Sequence, residues 1–198
     1  MLSPPGLADL LTDLADAFAG LRVPWYVFGA QAALIWGRPR LTTDVDVTVG
    51  TVPGGTKALV AALQAHRFTI RIDATPDFVR QTRVLPLVHG PSGLAADIVL
   101  AGPGLEDDFL ARAVQVDAGG VIVPVLSPED LIVTKVLAGR PKDLEDIRGV
   151  LAERGAQIDL VRVRTVLEML EQALGQSDLM PLFDAELTNW RRGGSGRR

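Results

Sequence analysis

The six residues DVDVTV, Asp44 to Val49, alternate without exception between a polar and an apolar side chain. Strand side chains project to opposite faces with period two. The run therefore specifies an extended segment with Val45, Val47 and Val49 on one face and Asp44, Asp46 and Thr48 on the other. The valines require a core. The two carboxylates, on one face and one residue apart, require either solvent or a positive charge. An ordinary amphipathic strand with a wet face satisfies the pattern, and so does a site that gathers acids.

The surrounding pattern limits what such a strand can belong to. Leu7, Leu10, Leu11, Leu14 and Phe18 recur at helical spacing, with Asp9, Asp13 and Asp16 expected on the opposite side. VPWYVFG reads as a strand closed by Gly29 and feeding a short helix, AQAALIW. After DVDVTV come a helix (GGTKALVAALQAHR), a strand (FTIRI), a short helix (TPDFVRQTR) and two strands (VLPLVHG and LAADIVLA). A short helix (LEDDFLARA) and a strand (GVIVPVL) follow. From Ser127 the pattern is helical throughout. Ser127 suits an N-cap, Pro128 the first helical position, and Glu129 and Asp130 the first turn. The fold class expected is α/β, an α+β mixed sheet, with a C-terminal helical subdomain. The division expected is residues 1–126, 127–192 and a flexible tail at 193–198, where GGSGRR is flexible by composition.

Composition narrows the chemistry. At 198 residues and 47% hydrophobic, the chain can bury a substantial core. It has no cysteine, which removes disulfides, thiolate zinc sites and a cysteine nucleophile. His66 and His89 are its only histidines and have no metal-ligand spacing, so both are expected at the surface or in packing. The early prolines and recurring aspartates of the first twenty residues do not resemble a leader, and no apolar run approaches a membrane span. A cytoplasmic protein with no membrane partner is expected. A formal net charge of −4 speaks against a surface devoted to coating nucleic acid, leaving room for a local basic patch. Arg162, Arg164, Arg191 and Arg192 are candidates for one, or are plain helix surface.

A third acid, Asp97, lies in a second strand, in the context ADIVL. Carboxylates packed together without a cation repel one another, whereas a hard divalent ion favours such oxygen ligands together with substrate phosphates. Two-ion phosphoryl transfer places its ions about 3.5–4 Å apart. Gly29 stands at a strand-to-helix turn, where the missing side chain and free helix N–H groups let a triphosphate approach. VPGGTKALV is not a P-loop, because its glycines and lysine lack the required order.

These residues resemble the nucleotidyltransferase fold of the DNA polymerase β superfamily. The likeness runs from Gly29-Ala30 through Arg38, Arg40, Thr42 and Thr43 to Asp44-Val45-Asp46, and then to Asp97. Where that superfamily usually has Gly or Ser, this chain has Ala30. The segment Leu126–Leu151 resembles the C-terminal motif of the AbiEii-like nucleotidyltransferases, which include toxins of toxin–antitoxin systems.

The resemblance implies a nucleotidyltransferase that moves an NMP from an NTP to an acceptor hydroxyl. Mg²⁺ would be its cofactor, as two ions, with Mn²⁺ an alternative. Asp44, Asp46 and Asp97 would be metal ligands and catalytic residues. Lys135 and Asp143, with Asp146 the alternative to the latter, would join them. Gly29, Ala30, Arg40 and Thr42 would bind nucleotide, although Arg40 and Thr42 also suit ordinary loop surface. A tRNA 3′ end or a protein hydroxyl would be the acceptor and a cognate antitoxin the partner. A small-molecule acceptor of the antibiotic type, or a non-catalytic binding module, is the alternative.

Overall fold

The computed structural model describes residues 6–38, 42, 44–71 and 76–194. The chain divides into two compact units, Met1–Gln31 with Leu41–Leu126, and Ala32–Arg40 with Ser127–Arg198. The stretch 32–40, expected in the first domain, clusters with the second unit. Gly37 explains the attachment, because a Cβ there would lie 2.8 Å from the Val150 nitrogen.

The first unit is a seven-stranded mixed sheet with helices. Its elements are α1 (Leu7–Leu21), β1 (Trp25–Phe28), the start of α2 (Gly29–Trp36), β2 (Asp44–Val49), α3 (Gly55–Ala65), β3 (Phe68–Ile70), α4 (Pro76–Thr82), β4 (Val84–His89), β5 (Ala95–Leu100), α5 (Leu105–Arg112), β6 (Val114–Asp117) and β7 (Ile122–Val125). The strand order is β3-β4-β5-β2-β1-β7-β6. β2 runs parallel to β5 and β1 parallel to β7, and the other pairs are antiparallel. Val45, Val47 and Val49 are buried with Leu85, Leu87 and Ile98, so the alternation in β2 is set by this core. Thr48, on the polar face, is buried as well.

Strand β6 was not expected. Its residues are mostly exposed and it lies at the sheet margin, so burial left little hydrophobic mark on it. The signal present is the V-Q-V-D alternation followed by Gly119 and Gly120, both at positive φ, which turn the chain into β7.

Asp13 corrects a second expectation. It is buried on the inner side of α1, three residues from Leu10 and four from Ala17, which places it beside the apolar face. Arg67 donates to both of its oxygens, at 2.8 and 2.6 Å, and His89 Nε2 lies 2.8 Å from Oδ2. His89 is completely buried, and its Nδ1 lies 2.7 Å from the Ser92 hydroxyl. The order Asp13, His89, Ser92 is that of an acyl-transfer triad. Here, though, a guanidinium fork neutralises the carboxylate and the imidazole is sealed from solvent, so the chain of bonds pins α1 to the β4–β5 hairpin.

The second unit, as described, is built from the remainder of α2 and four further helices, α6 (Pro128–Ala138), α7 (Pro141–Arg154), α8 (Leu160–Leu174) and α9 (Leu179–Gly194). Ser127 caps α6 as expected, accepting from the Asp130 N–H at 3.1 Å with Pro128 next in line. Gly193 and Gly194, assigned to the tail from sequence, close α9, and residues 195–198 lie outside the described residues. Among the described residues no helix is long and apolar enough to cross a membrane.

Burial alone pushes the Asp13 carboxyl up, but hydrogen bonds from Arg67 and His89 outweigh it and hold the group below the usual carboxylate range. A folded-state value below the unfolded one, about 3.9, gives stability that is complete above that pH and is lost as pH falls through the folded value. Asp13→Asn is therefore expected to cost about 1–3 kcal/mol at pH 7, with the gap to wild type narrowing below about pH 4. Urea denaturation at pH 7 and pH 3 measures both, and an unchanged gap would rule out the charge as the cause.

Candidate active site

The polar face of β2 faces a neighbour of its own kind. Asp46 pairs in register with Asp97 on the parallel strand β5, and with Phe28 at the end of β1. Partners on adjacent strands share a face at about 4.8 Å, so the two carboxylates stand abreast. Asp44 lies one pleat earlier on the same face, opposite Ala95.

Each acid already has a neighbour that orients it. Thr42 Oγ1 donates to Asp44 Oδ1 at 2.6 Å. Arg71 Nη2 donates to Asp97 Oδ1 at 2.8 Å. Asp46 lies against the start of α2: a Cβ on Gly29 would sit 2.0 Å from its Oδ2. Gly29 also has φ +63, a conformation that side chains disfavour. The space left by the missing side chain of Gly29 is therefore taken by the Asp46 carboxylate. Ala30 follows it and is buried. Arg40 and Thr43 lie outside the described residues.

Among the described residues no three His, Asp or Glu side chains form a ready metal cage. The three acids lie against different neighbours, Asp44 against Thr42, Asp97 against Arg71 and Asp46 against Gly29. The donor set itself suits a hard divalent cation, being three carboxylates on adjacent strands of one sheet, two of them in register.

The helical unit holds its own charged cluster. Lys135 Nζ on α6 donates to Asp143 Oδ1 at 3.0 Å and to Asp146 Oδ2 at 2.6 Å, both on α7. All three are buried, and Asp143 is completely inaccessible. Arg140 adds a bond to Asp143 Oδ2 at 2.6 Å. The spacing Arg140, Asp143, Asp146 puts these groups on successive turns of one face. Lys135 thus engages both candidate acids rather than one of them. Burial raises Asp143, but Arg140 and Lys135 outweigh it and hold its carboxyl below the ordinary range.

Arg162 and Arg164, candidates for a basic patch, are engaged within the unit. Arg162 donates to the buried Asp130 through Nε and Nη2, and Arg164 pairs with Asp184. Arg71 was missed by the sequence reading. The FTIRI alternation marks it only as exposed, and its pairing with Asp97 depends on strand order.

Residues 19–178 match the family described as nucleotidyltransferase of unknown function, DUF6036. No curated protein sequence matches. Solved structures share the fold, among them the following three. The antibiotic-resistance factor ANT(2″)-Ia has TM-score 0.56 and 17% identity over 87% of this chain and 95% of its own. The lincosamide antibiotic adenylyltransferase LnuA, lincomycin-bound, has TM-score 0.51 and 16% identity over 73% and 95%. An antigenic nucleotidyltransferase-like protein from Paracoccidioides brasiliensis has TM-score 0.50 and 18% identity over 93% and 94%.

Two substitutions follow from this geometry. Gly29→Ala is expected to destabilise by about 1–3 kcal/mol through its backbone, with a further loss from the collision with Asp46. Asp46→Ala should restore that second part, so a double-mutant cycle by chemical denaturation would be non-additive; strict additivity would refute the contact. Lys135→Met leaves two buried carboxylates with a cation removed and should cost on the order of 3 kcal/mol at neutral pH. Thermal unfolding checks it, and an unchanged midpoint would contradict the buried cluster.

The chain belongs to the DUF6036 family of nucleotidyltransferases.

Proposed function

We propose that this family member is a divalent-cation-dependent nucleotidyltransferase that transfers an NMP from an NTP to an acceptor hydroxyl and releases pyrophosphate. One observation carries the reading: Asp46 and Asp97 stand abreast on adjacent parallel strands, with Asp44 on the same face. Asp44, Asp46 and Asp97 would hold Mg²⁺, or Mn²⁺ in its place. Bound there, the cation would offset the charge of the triphosphate and bring the reacting oxygens into line.

The remaining steps fall to the chain. The Asp97 carboxylate accepts the acceptor hydroxyl's proton, the acceptor oxygen bonds to the α-phosphorus, and the bond from that phosphorus to the β-phosphate's bridging oxygen breaks. Thr42 keeps Asp44 aimed through the Oγ1 bond. Gly29 admits Asp46 to the N-terminal end of α2, where the helix dipole favours negative charge. The buried bonds of Lys135 to Asp143 and Asp146 favour a supporting role in the helical unit over direct phosphate contact.

For the acceptor, a small hydroxyl-bearing molecule is the better reading. Two of four candidate RNA-binding arginines, Arg162 and Arg164, are engaged by Asp130 and Asp184. Two fold neighbours also act on or resist antibiotics. The second reading, a toxin of AbiEii type acting on tRNA or protein with an antitoxin partner, rests on the likeness of Leu126–Leu151.

The test incubates protein, Mg²⁺ and each labelled NTP with aminoglycosides, lincosamides, tRNA and a protein pool. Transfer is expected to a small molecule and to fall at least 100-fold in Asp46→Ala, on the scale of removing one group that acts in the transition state. Transfer to tRNA would favour the toxin reading. No transfer from any NTP, or equal transfer by the variant, would sink the enzymatic one and leave a binding module.

A further inference from the structure

One row of residues crosses the sheet at the candidate site. Phe28 on β1 pairs with Asp46 on β2, Asp46 with Asp97 on β5, and Asp97 with Pro86 on β4. The row ends at Arg71, whose N–H donates to the Pro86 carbonyl at 3.0 Å, one step beyond the Ile70↔Leu87 pair of β3. Arg71 and Asp97 are thus two strand spacings apart, about 9.6 Å, and share a face. Only a long side chain laid across β4 closes that span, and the guanidinium reaches Asp97 Oδ1 at 2.8 Å.

Pro86 contributes to this placement. In an antiparallel ladder the N–H and C=O of one residue point to the same neighbour. Pro86 offers its carbonyl to Arg71 and has no N–H to offer in return, so this rung of the β3–β4 pairing has a single backbone bond. Arg71 is therefore held at this rung by its own amide. The pair is accessible: the side chains are 43% exposed at Arg71 and 28% exposed at Asp97.

We propose that Arg71 is a positioning residue that serves as the built-in counter-ion of Asp97, occupying the carboxylate until a divalent cation displaces it. The inference rests on the reading that Asp44, Asp46 and Asp97 hold such a cation. An exposed ion pair is weak, about 0–1 kcal/mol, so a divalent ion bound by several carboxylates wins the exchange. Unfilled, the pair keeps Asp97 from standing uncompensated beside Asp46. Filled, it leaves the guanidinium released at the site rim. Each binding event then includes the breaking of the Arg71–Asp97 pair, which weakens apparent metal affinity.

Mn²⁺ binding, followed by calorimetry and by the loss of the free-ion EPR signal, tests the exchange without reference to activity. Wild type, Arg71→Ala, Arg71→Lys and Asp46→Ala are compared, with thermal unfolding as the check on folding. Arg71→Ala is expected to bind Mn²⁺ about threefold to fivefold more tightly, the fold-change set by a pair of this strength. Arg71→Lys, a shorter point charge without the fork, should fall between it and wild type. Equal or weaker binding by Arg71→Ala, with binding abolished in Asp46→Ala, would overturn the counter-ion role and leave the metal site standing. No Mn²⁺ binding by wild type or Arg71→Ala would remove the metal site and the counter-ion role together.

Discussion

The pairing of Asp46 with Asp97 across two parallel strands is the constraint that the surrounding structure answers. Register places the two residues one strand spacing apart on one face, so their like charges disfavour this sheet register if nothing offsets them. The register is nonetheless fixed from the other face, because slipping β2 by one residue would expose Val45 and Val47, both fully buried. Hydrophobic burial thus forces the acids together. Arg71 on Asp97 and the N-terminal end of α2 beside Asp46 reduce the resulting strain.

The helical unit uses a different arrangement for its charges. Lys135, Arg140, Asp143 and Asp146 form a compact set of two cations and two anions, and Asp130 is closed off by Arg162 and Ser127. Bonds of this kind add little net stability compared with apolar packing, but losing one partner is costly. They therefore specify which helix faces meet. The bidentate Arg148–Glu186 pair does the same between α7 and α9.

Periodicity made most of the architecture legible. The alternation of β2, the helical spacing of α1 and the cap at Ser127 are local signals, and each stands where it was expected. Residues whose role depends on distant partners were less legible. Asp13 looks like one more acid on a polar helix face until Arg67 and His89, 54 and 76 positions away, are brought to it. Arg71 carries no local mark of its position beside Asp97. Gly29 was legible as a turn glycine, but what fills the space it leaves is decided by the β1–β2 register. Lys135 was named through the family resemblance alone, and its double engagement required the packing of α6 on α7.

Pro86 has an effect beyond the site. Among the described residues β3 lies at one margin of the sheet and pairs with β4 through Phe68, Thr69 and Ile70. An open strand edge is a template on which a second chain can add its own backbone, and long flat edges invite aggregation. By withholding a donor opposite Arg71, Pro86 leaves that rung with one backbone bond instead of two. The rung that carries Arg71 beside Asp97 thus has half the usual backbone pairing, which makes it a place where this margin of the sheet is expected to fray first.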